Sequence, residues 1–189
     1  MNKKKEMEEL NREYSMLPLR SKGWALSRSF VPGDGPLDAK VMIIGQAPGR
    51  NEDIERKPFI GASGKFLTEL IGIAGLDRKS IYISSVVQFF PPKNRVPTRE
   101  EIELCRPFIT KQIEIVDPKV ILLLGSVACK TILGLEKVAS IRGTHVKKDG
   151  KLYLISLHPA AGVRIRSNMP IMRRDFIGFK NVISKSSSA

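Results

Sequence analysis

The sequence predicts an α/β fold: a three-layer α/β/α sandwich with a central, mostly parallel four-stranded sheet, in a single domain spanning residues 1–189. Three observations predict it. Short, wholly apolar runs, Val41–Ile44 and Val120–Leu124, each close on a glycine, as strands buried on both faces do. Stretches with apolar residues at helical spacing lie between such runs, and strands alternating with helices build parallel sheets covered on both sides. The chain has 189 residues, 42% of them hydrophobic, which is enough for one well-buried core.

Taken in order, residues 3–14 read as a charged helix with Met7, Leu10 and Tyr14 at helical spacing. Val41–Ile44, ending in Gly45, is the first strand. Ser63 is placed to cap a helix carrying Phe66, Leu67, Leu70, Ile71 and Ala74. Ile81–Val87 is the second strand, and a loop with Pro91, Pro92 and Pro97 follows it. Thr98 and Glu101 have the spacing of a capping box for the next helix, which Pro107 is expected to kink or split. Val120–Leu124 is the third strand, with a helix from about Ser126 to Leu133 behind it. Leu152–Ser156 is a late strand, and residues from about 168 to 183 form the last helix. The low-complexity tail Ser184–Ala189 is expected to fray.

The charge balance bears on partners rather than on fold. There are 32 Lys and Arg against 19 Asp and Glu, a net charge of +13. Such a surplus points to nucleic acid first, and to binding that weakens with salt. Cys105 and Cys129 make no CxxC and no disulfide framework, which fits a reducing, cytoplasmic setting. His145 and His158 are too few for a His-rich metal site. No apolar run approaches the roughly 20 residues that span a bilayer. The charged segment Met1–Glu6 does not read as a secretory signal. Neither GxGxxG nor GxxxxGK[ST] occurs, which argues against a small-nucleotide enzyme on the same sheet.

Ligands of open α/β sheets bind outside the carboxyl ends of the strands. Three loops leave those ends: 46–61, 88–97 and 158–168. The first begins Gly45-Gln46-Ala47-Pro48-Gly49, a tight turn with accessible backbone N–H groups, although an ordinary strand-to-helix connection has the same content. Phe59 sits there among Lys57, Pro58 and Gly61, outside any periodic run. Its ring can stack on a base or pack beneath the loop. Pro91-Pro92-Lys93-Asn94-Arg95 is a stiff basic loop suited to phosphates. His158 precedes Pro159, which favours extended geometry, and Arg164, Arg166, Arg173 and Arg174 follow.

In this order, these segments resemble the uracil-DNA glycosylase superfamily, most closely its family-four branch. The matching pieces are Gly45-Gln46-Ala47-Pro48-Gly49, Glu52-Asp53, Pro58-Phe59-Ile60-Gly61, Ser85 through Arg95, Gly125-Ser126-Val127-Ala128 and His158-Pro159-Ala160, across roughly residues 30 to 183. The resemblance implies a monofunctional glycosylase that hydrolyses the N-glycosidic bond of uracil in DNA and leaves an abasic site. By position, the catalytic residues would be His158, Gln46 and Asp53. Phe59, Ser85, Glu52, Gly45 and Ala47 would bind the base, with Glu52 near its C5 edge. Lys93, Asn94, Arg95, Arg164 and Arg166 would touch DNA, and the loop after His158 would hold the duplex open. DNA is the partner expected of a monomer working in the cytoplasm at the nucleoid, with no membrane and no metal.

Three positions depart from the family pattern. Gln46 stands where a glutamate is usual, and an amide cannot act as a general base. Ser85 stands where an asparagine reads the uracil edge, and a hydroxyl cannot offer paired donor and acceptor atoms. That leaves hypoxanthine or G-mismatched pyrimidines as alternative substrates, and a non-catalytic DNA binder as a second class. Family-four members also hold a 4Fe–4S cluster through four cysteines, of which only Cys105 is matched, with Phe89 in a second position. The cluster is therefore expected to be absent, with apolar packing of Phe89 against Met16 or Leu17 in its place.

Overall fold

The computed structural model describes residues 2–17 and 29–187, with side chains to residue 184. Among them, five strands form one sheet: β1 (Val41–Gly45), β2 (Ile81–Ser85), β3 (Val120–Leu124), β4 (His145–Lys148) and β5 (Lys151–Ser156). Their spatial order is β2-β1-β3-β5-β4. The first four in that order run parallel, and β4 is antiparallel to β5. The helices are α1 (Lys3–Ser15), α2 (Arg50–Glu55), α3 (Ala62–Ile73), α4 (Arg99–Val116), α5 (Gly125–Leu133), α6 (Val138–Ile141), α7 (Pro159–Arg164) and α8 (Asn168–Ser187).

The apolar runs are continuous because each strand feeds two cores. Met42, Ile44, Ile121, Leu123, Tyr153 and Ile155 face one side, with Met7, Leu10 and Tyr14 of α1 and Cys105 and Ile109 of α4. Val41, Ile43, Val120, Leu122, Leu152 and Leu154 face the other, under Phe66, Leu67 and Leu70 of α3 and Met172, Phe176 and Phe179 of α8. Side chains alternate along a strand with period two, so an unbroken apolar run fills both layers.

The fold class agrees with the sequence reading, with differences in detail. A fifth strand, β4, joins the sheet at its edge. Its residues His145-Val146-Lys147-Lys148 are mostly exposed and contain no apolar run to betray it. β2 ends at Ser85, two residues early, because the backbone then turns so that Val86 and Val87 donate to Gly45 O and Gln46 O. Pro107 does not end α4, which runs unbroken through it. The proline is exposed, while Cys105, Ile109 and Gln112 anchor the buried face on either side. The cap of α3 is Gly61 rather than Ser63. α8 continues to Ser187 through the expected frayed tail, whose last two residues lie outside the described ones.

Candidate active site

Parallel strands bring their carboxyl ends to one edge, with Gly45 opposite Ser85 and Leu124 opposite Ser156. A cavity of about 340 Å³ opens there, lined by Gln46, Ala47, Glu52, Phe59, Ser85, Asn94, Arg95, His158 and Arg164 among others. The three loops therefore converge as expected. Two of them carry short helices, α2 and α7, where the sequence has no helical periodicity to announce them.

His158 is the N-cap of α7, with extended backbone (φ −68°, ψ 135°). Its Nδ1 accepts a hydrogen bond from Ala160 N–H at 3.2 Å. An accepting nitrogen carries no proton, so the ring hydrogen sits on Nε2. Burial first and Arg164 second, against an opposing pull from Glu52, push the imidazole pKa down to about 4. His158 is therefore neutral at physiological pH and is a donor through Nε2. The Phe59 ring faces it at 5.6 Å between centroids and 30° between planes.

Glu52 is buried, and both its oxygens are taken. Oε1 accepts from Ile60 N–H (2.9 Å) and Gly61 N–H (2.8 Å), and Oε2 accepts from Gly49 N–H (3.1 Å). The carboxylate thus ties the start of the first loop to its end. Ser85 ends β2 above a closed buried ring of hydrogen bonds. Gln88 Nε2 donates to Ser84 Oγ (2.9 Å), Ser84 Oγ to Gln112 Oε1 (2.7 Å), and Gln112 Nε2 to Gln88 Oε1 (3.0 Å). Every polar atom in that ring finds a partner without water, which makes the base of the second loop stiff.

Four expected site residues do not line the cavity. Gly45 lies beneath the Phe59 ring, where a Cβ would come within 2.4 Å of it. Asp53 follows Glu52 by one residue, so on α2 it points about 100° away from the side chain that faces the loop. Lys93 and Arg166 are exposed beyond the rim. Arg95 lines the cavity, but its guanidinium is held in a fork by Glu101 (2.8 and 2.6 Å) and by Val96 O (3.0 Å). Glu101 also completes the Thr98 capping box. Burial raises its pKa, and the bonds from Arg95 and Thr98 outweigh that and hold it below the usual carboxylate range. Arg173 is turned aside to Glu69 (2.6 Å) and lies over Phe66. The sequence reading missed Ser63 and Val96, which both line the cavity. Ser63 stands two residues after Gly61 in the first turn of α3, and that short spacing from the loop is the only signal it carries.

The residues do not fit a 4Fe–4S cluster. Cys105 is fully buried, and burial pushes its thiol up to about 12. Cys129 is in another helix, and the chain has only these two cysteines. Among the described residues, no group of three or more His, Cys, Asp or Glu is placed to hold a metal ion. Cys105 lies against Tyr14, the centre of an aromatic cluster. Tyr14 stacks on Phe108 (4.2 Å, 7°), meets Phe89 edge-on (5.3 Å, 82°) and packs on Phe30 (5.3 Å). Phe89 also packs on Phe30 (5.8 Å), and Leu17 is among the partly buried residues that pack against the core holding Phe89. Met16 is 74% exposed and plays no part, because α1 ends with that residue turned outward.

The family model of the uracil DNA glycosylase superfamily matches residues 32–178. The chain is 37% identical over 175 residues to the type-4 uracil-DNA glycosylase of Saccharolobus solfataricus, covering 87% of this chain and 81% of that protein. It is 40% identical over 143 residues to the type-4 enzyme of Thermotoga maritima, covering 74% of each. It is 32% identical over 162 residues to the type-5 uracil-DNA glycosylase of Pyrobaculum aerophilum, covering 76% of this chain and 71% of that one.

Proposed function

The chain belongs to the uracil-DNA glycosylase superfamily, and on that premise we propose that it excises uracil from DNA as a monofunctional glycosylase, leaving an abasic site. The observation that carries this reading is the pairing of Phe59 with a neutral His158 across the cavity. A base flipped out of the stack lies against the Phe59 ring. As the glycosidic bond breaks, electron density moves onto the uracil oxygen and the sugar becomes oxocarbenium-like. The Nε2–H of His158 donates to that oxygen, and being already aimed there it costs no reorganisation. Gln46 orients the attacking water through its amide, and the water adds to the sugar carbon as the uracil anion leaves, its surplus proton passing to solvent.

Glu52 shapes the pocket wall beside the base and keeps Gly49, Ile60 and Gly61 in place. Asn94 and Arg164 at the rim, with Lys93 and Arg166 beyond it, contact phosphates. Arg95 stiffens the loop through Glu101 rather than reaching out. Ile165, 57% exposed in the turn after α7, is the apolar side chain that enters the duplex. The enzyme works as a cluster-free monomer in the cytoplasm at the nucleoid, and the rings around Cys105 take over the structural place of the iron–sulfur group. Among the described residues no helix is long and apolar enough to cross a membrane.

Ser85 in the cavity favours a second, broader reading in which hypoxanthine or a G-mismatched thymine is also removed. Labelled duplexes carrying uracil, hypoxanthine or a G·T mismatch, incubated with the protein and then treated with alkali, test both. Alkali-labile sites at uracil are expected. Intact strands for all three, with DNA still bound, would leave a non-catalytic binder.

A further inference from the structure

We propose that Arg78, which lies outside the cavity, is a positioning residue for the stacking ring: it holds the backbone of Pro58 and Phe59 in the conformation that turns the Phe59 ring toward the base. The inference rests on the uracil-excision reading of the site.

Phe59 has φ +53°, in the left-handed region that a residue with a bulky side chain rarely adopts. Its surroundings are cut to fit that conformation. The ring rests on Gly45, where a Cβ would come within 2.4 Å of it. The carbonyl rests on Gly64, where a Cβ would lie 1.9 Å from Phe59 O. Two glycines make room for the strained residue, but neither holds it there.

Arg78 supplies the hold. It enters from the 3-10 turn Arg78–Ser80 that leads into β2. Its Nη2 donates to Pro58 O (3.0 Å) and to Phe59 O (2.9 Å). Its Nη1 donates to Thr68 Oγ1 (3.1 Å), and the Thr68 hydroxyl donates in turn to Gly64 O (3.0 Å). One planar guanidinium thus ties both carbonyls flanking the strained bond to α3. A lysine ammonium lacks the fixed fork needed to meet all three acceptors at once. Arg78 is partly buried, and its bonds to the Pro58 and Phe59 carbonyls are partly shielded from water. Arg78 itself does not line the cavity, so its effect must pass through Pro58 and Phe59.

The test compares Arg78→Ala, Arg78→Lys, Phe59→Ala and Arg78→Ala/Phe59→Ala with the wild type. It measures single-turnover excision of uracil and, separately, affinity for a duplex holding a stable abasic analogue, which has no base to stack. Arg78→Ala should slow excision by about tenfold while affinity for the abasic duplex changes less than about twofold. Arg78→Lys should recover only part of the rate. In the Phe59→Ala background, Arg78→Ala should add less than about twofold, because its effect is already spent. If Arg78→Ala does not fold, the lysine variant carries the same comparison with Phe59→Ala. Excision at the wild-type rate in Arg78→Ala overturns the inference alone. So does a full additive loss in the double variant, or a parallel loss of abasic-duplex affinity, since either marks a merely structural staple. A wild type that excises no uracil overturns the reading of the site and this inference with it.

Discussion

His158 caps α7 with its own ring, and that one contact decides which nitrogen carries the proton. The sequence showed a histidine beside clustered arginines. It could not show the Ala160 N–H that makes Nδ1 an acceptor, since that depends on the helix starting at Pro159. Glu52 is a similar case. Its place in the motif suggested the base edge, but the sequence could not show that three backbone N–H groups hold its oxygens in the cavity wall. Arg95 looked like a phosphate ligand by charge and loop position, yet Glu101, six residues on, engages its whole fork. Charge read along a chain shows no partner until the loop closes. Ser85 was legible in both identity and place, and its consequence can be measured. A hydroxyl forgoes the amide's paired donor and acceptor, so Ser85→Asn should raise the ratio of uracil to hypoxanthine excision rates by about tenfold or more. Single-turnover assays on matched duplexes read that ratio, and an unchanged ratio would show that Ser85 does not set specificity.

Among the elements, those with a continuous apolar run or a helical seam were readable to within a residue or two at most ends, although α8 runs on from the expected end near 183 to Ser187 and α4 passes unbroken through Pro107. Those without such a run or seam were not. β4 presents an exposed, lysine-rich edge, a common guard against edge-to-edge pairing, and it pairs only because the turn at 149–150 folds it back on β5. α2 and α7 are single short turns stabilised by caps rather than by an apolar face. The packing of α1 against α4 was readable in outline, since Tyr14 and Cys105 lie on buried faces. The sequence could not show that Phe30, Phe89 and Phe108 would meet Tyr14 there, because three separate segments contribute them. Tyr14 also bridges this packing to the second loop, donating to Val86 O and accepting from Gln88 N–H, both at 3.3 Å. If these rings replace a cluster, stability should depend on them and not on iron. Phe89→Ala should cost about 3–5 kcal/mol in urea unfolding, while a chelator leaves the wild-type midpoint unmoved. A loss below about 1 kcal/mol, or stoichiometric iron in the purified protein, would contradict the replacement.

At the scale of the whole molecule, one sheet with two cores delivers three loops to one edge, and both cores were legible because β1 and β3 are continuous apolar runs. The surplus of positive charge was legible as a number, +13, but its arrangement was not. Arg173, Arg142 and Lys151 are occupied by Glu69, Asp175 and Asp117 within the fold, whereas Arg164 borders the cavity. The account stands on a neutral His158 donating through Nε2 to uracil in that cavity. The most direct test is the single-turnover rate of uracil excision by wild type and His158→Ala between pH 8 and pH 5. Burial holds the imidazole pKa near 4, below its ordinary value, so the ring stays neutral across this whole range. The account predicts a loss of about 10²–10³-fold in His158→Ala, by a factor that does not change with pH over the range. A wild-type rate that bends near pH 6.5 only when His158 is present, or a His158→Ala protein as fast as the wild type, would contradict it.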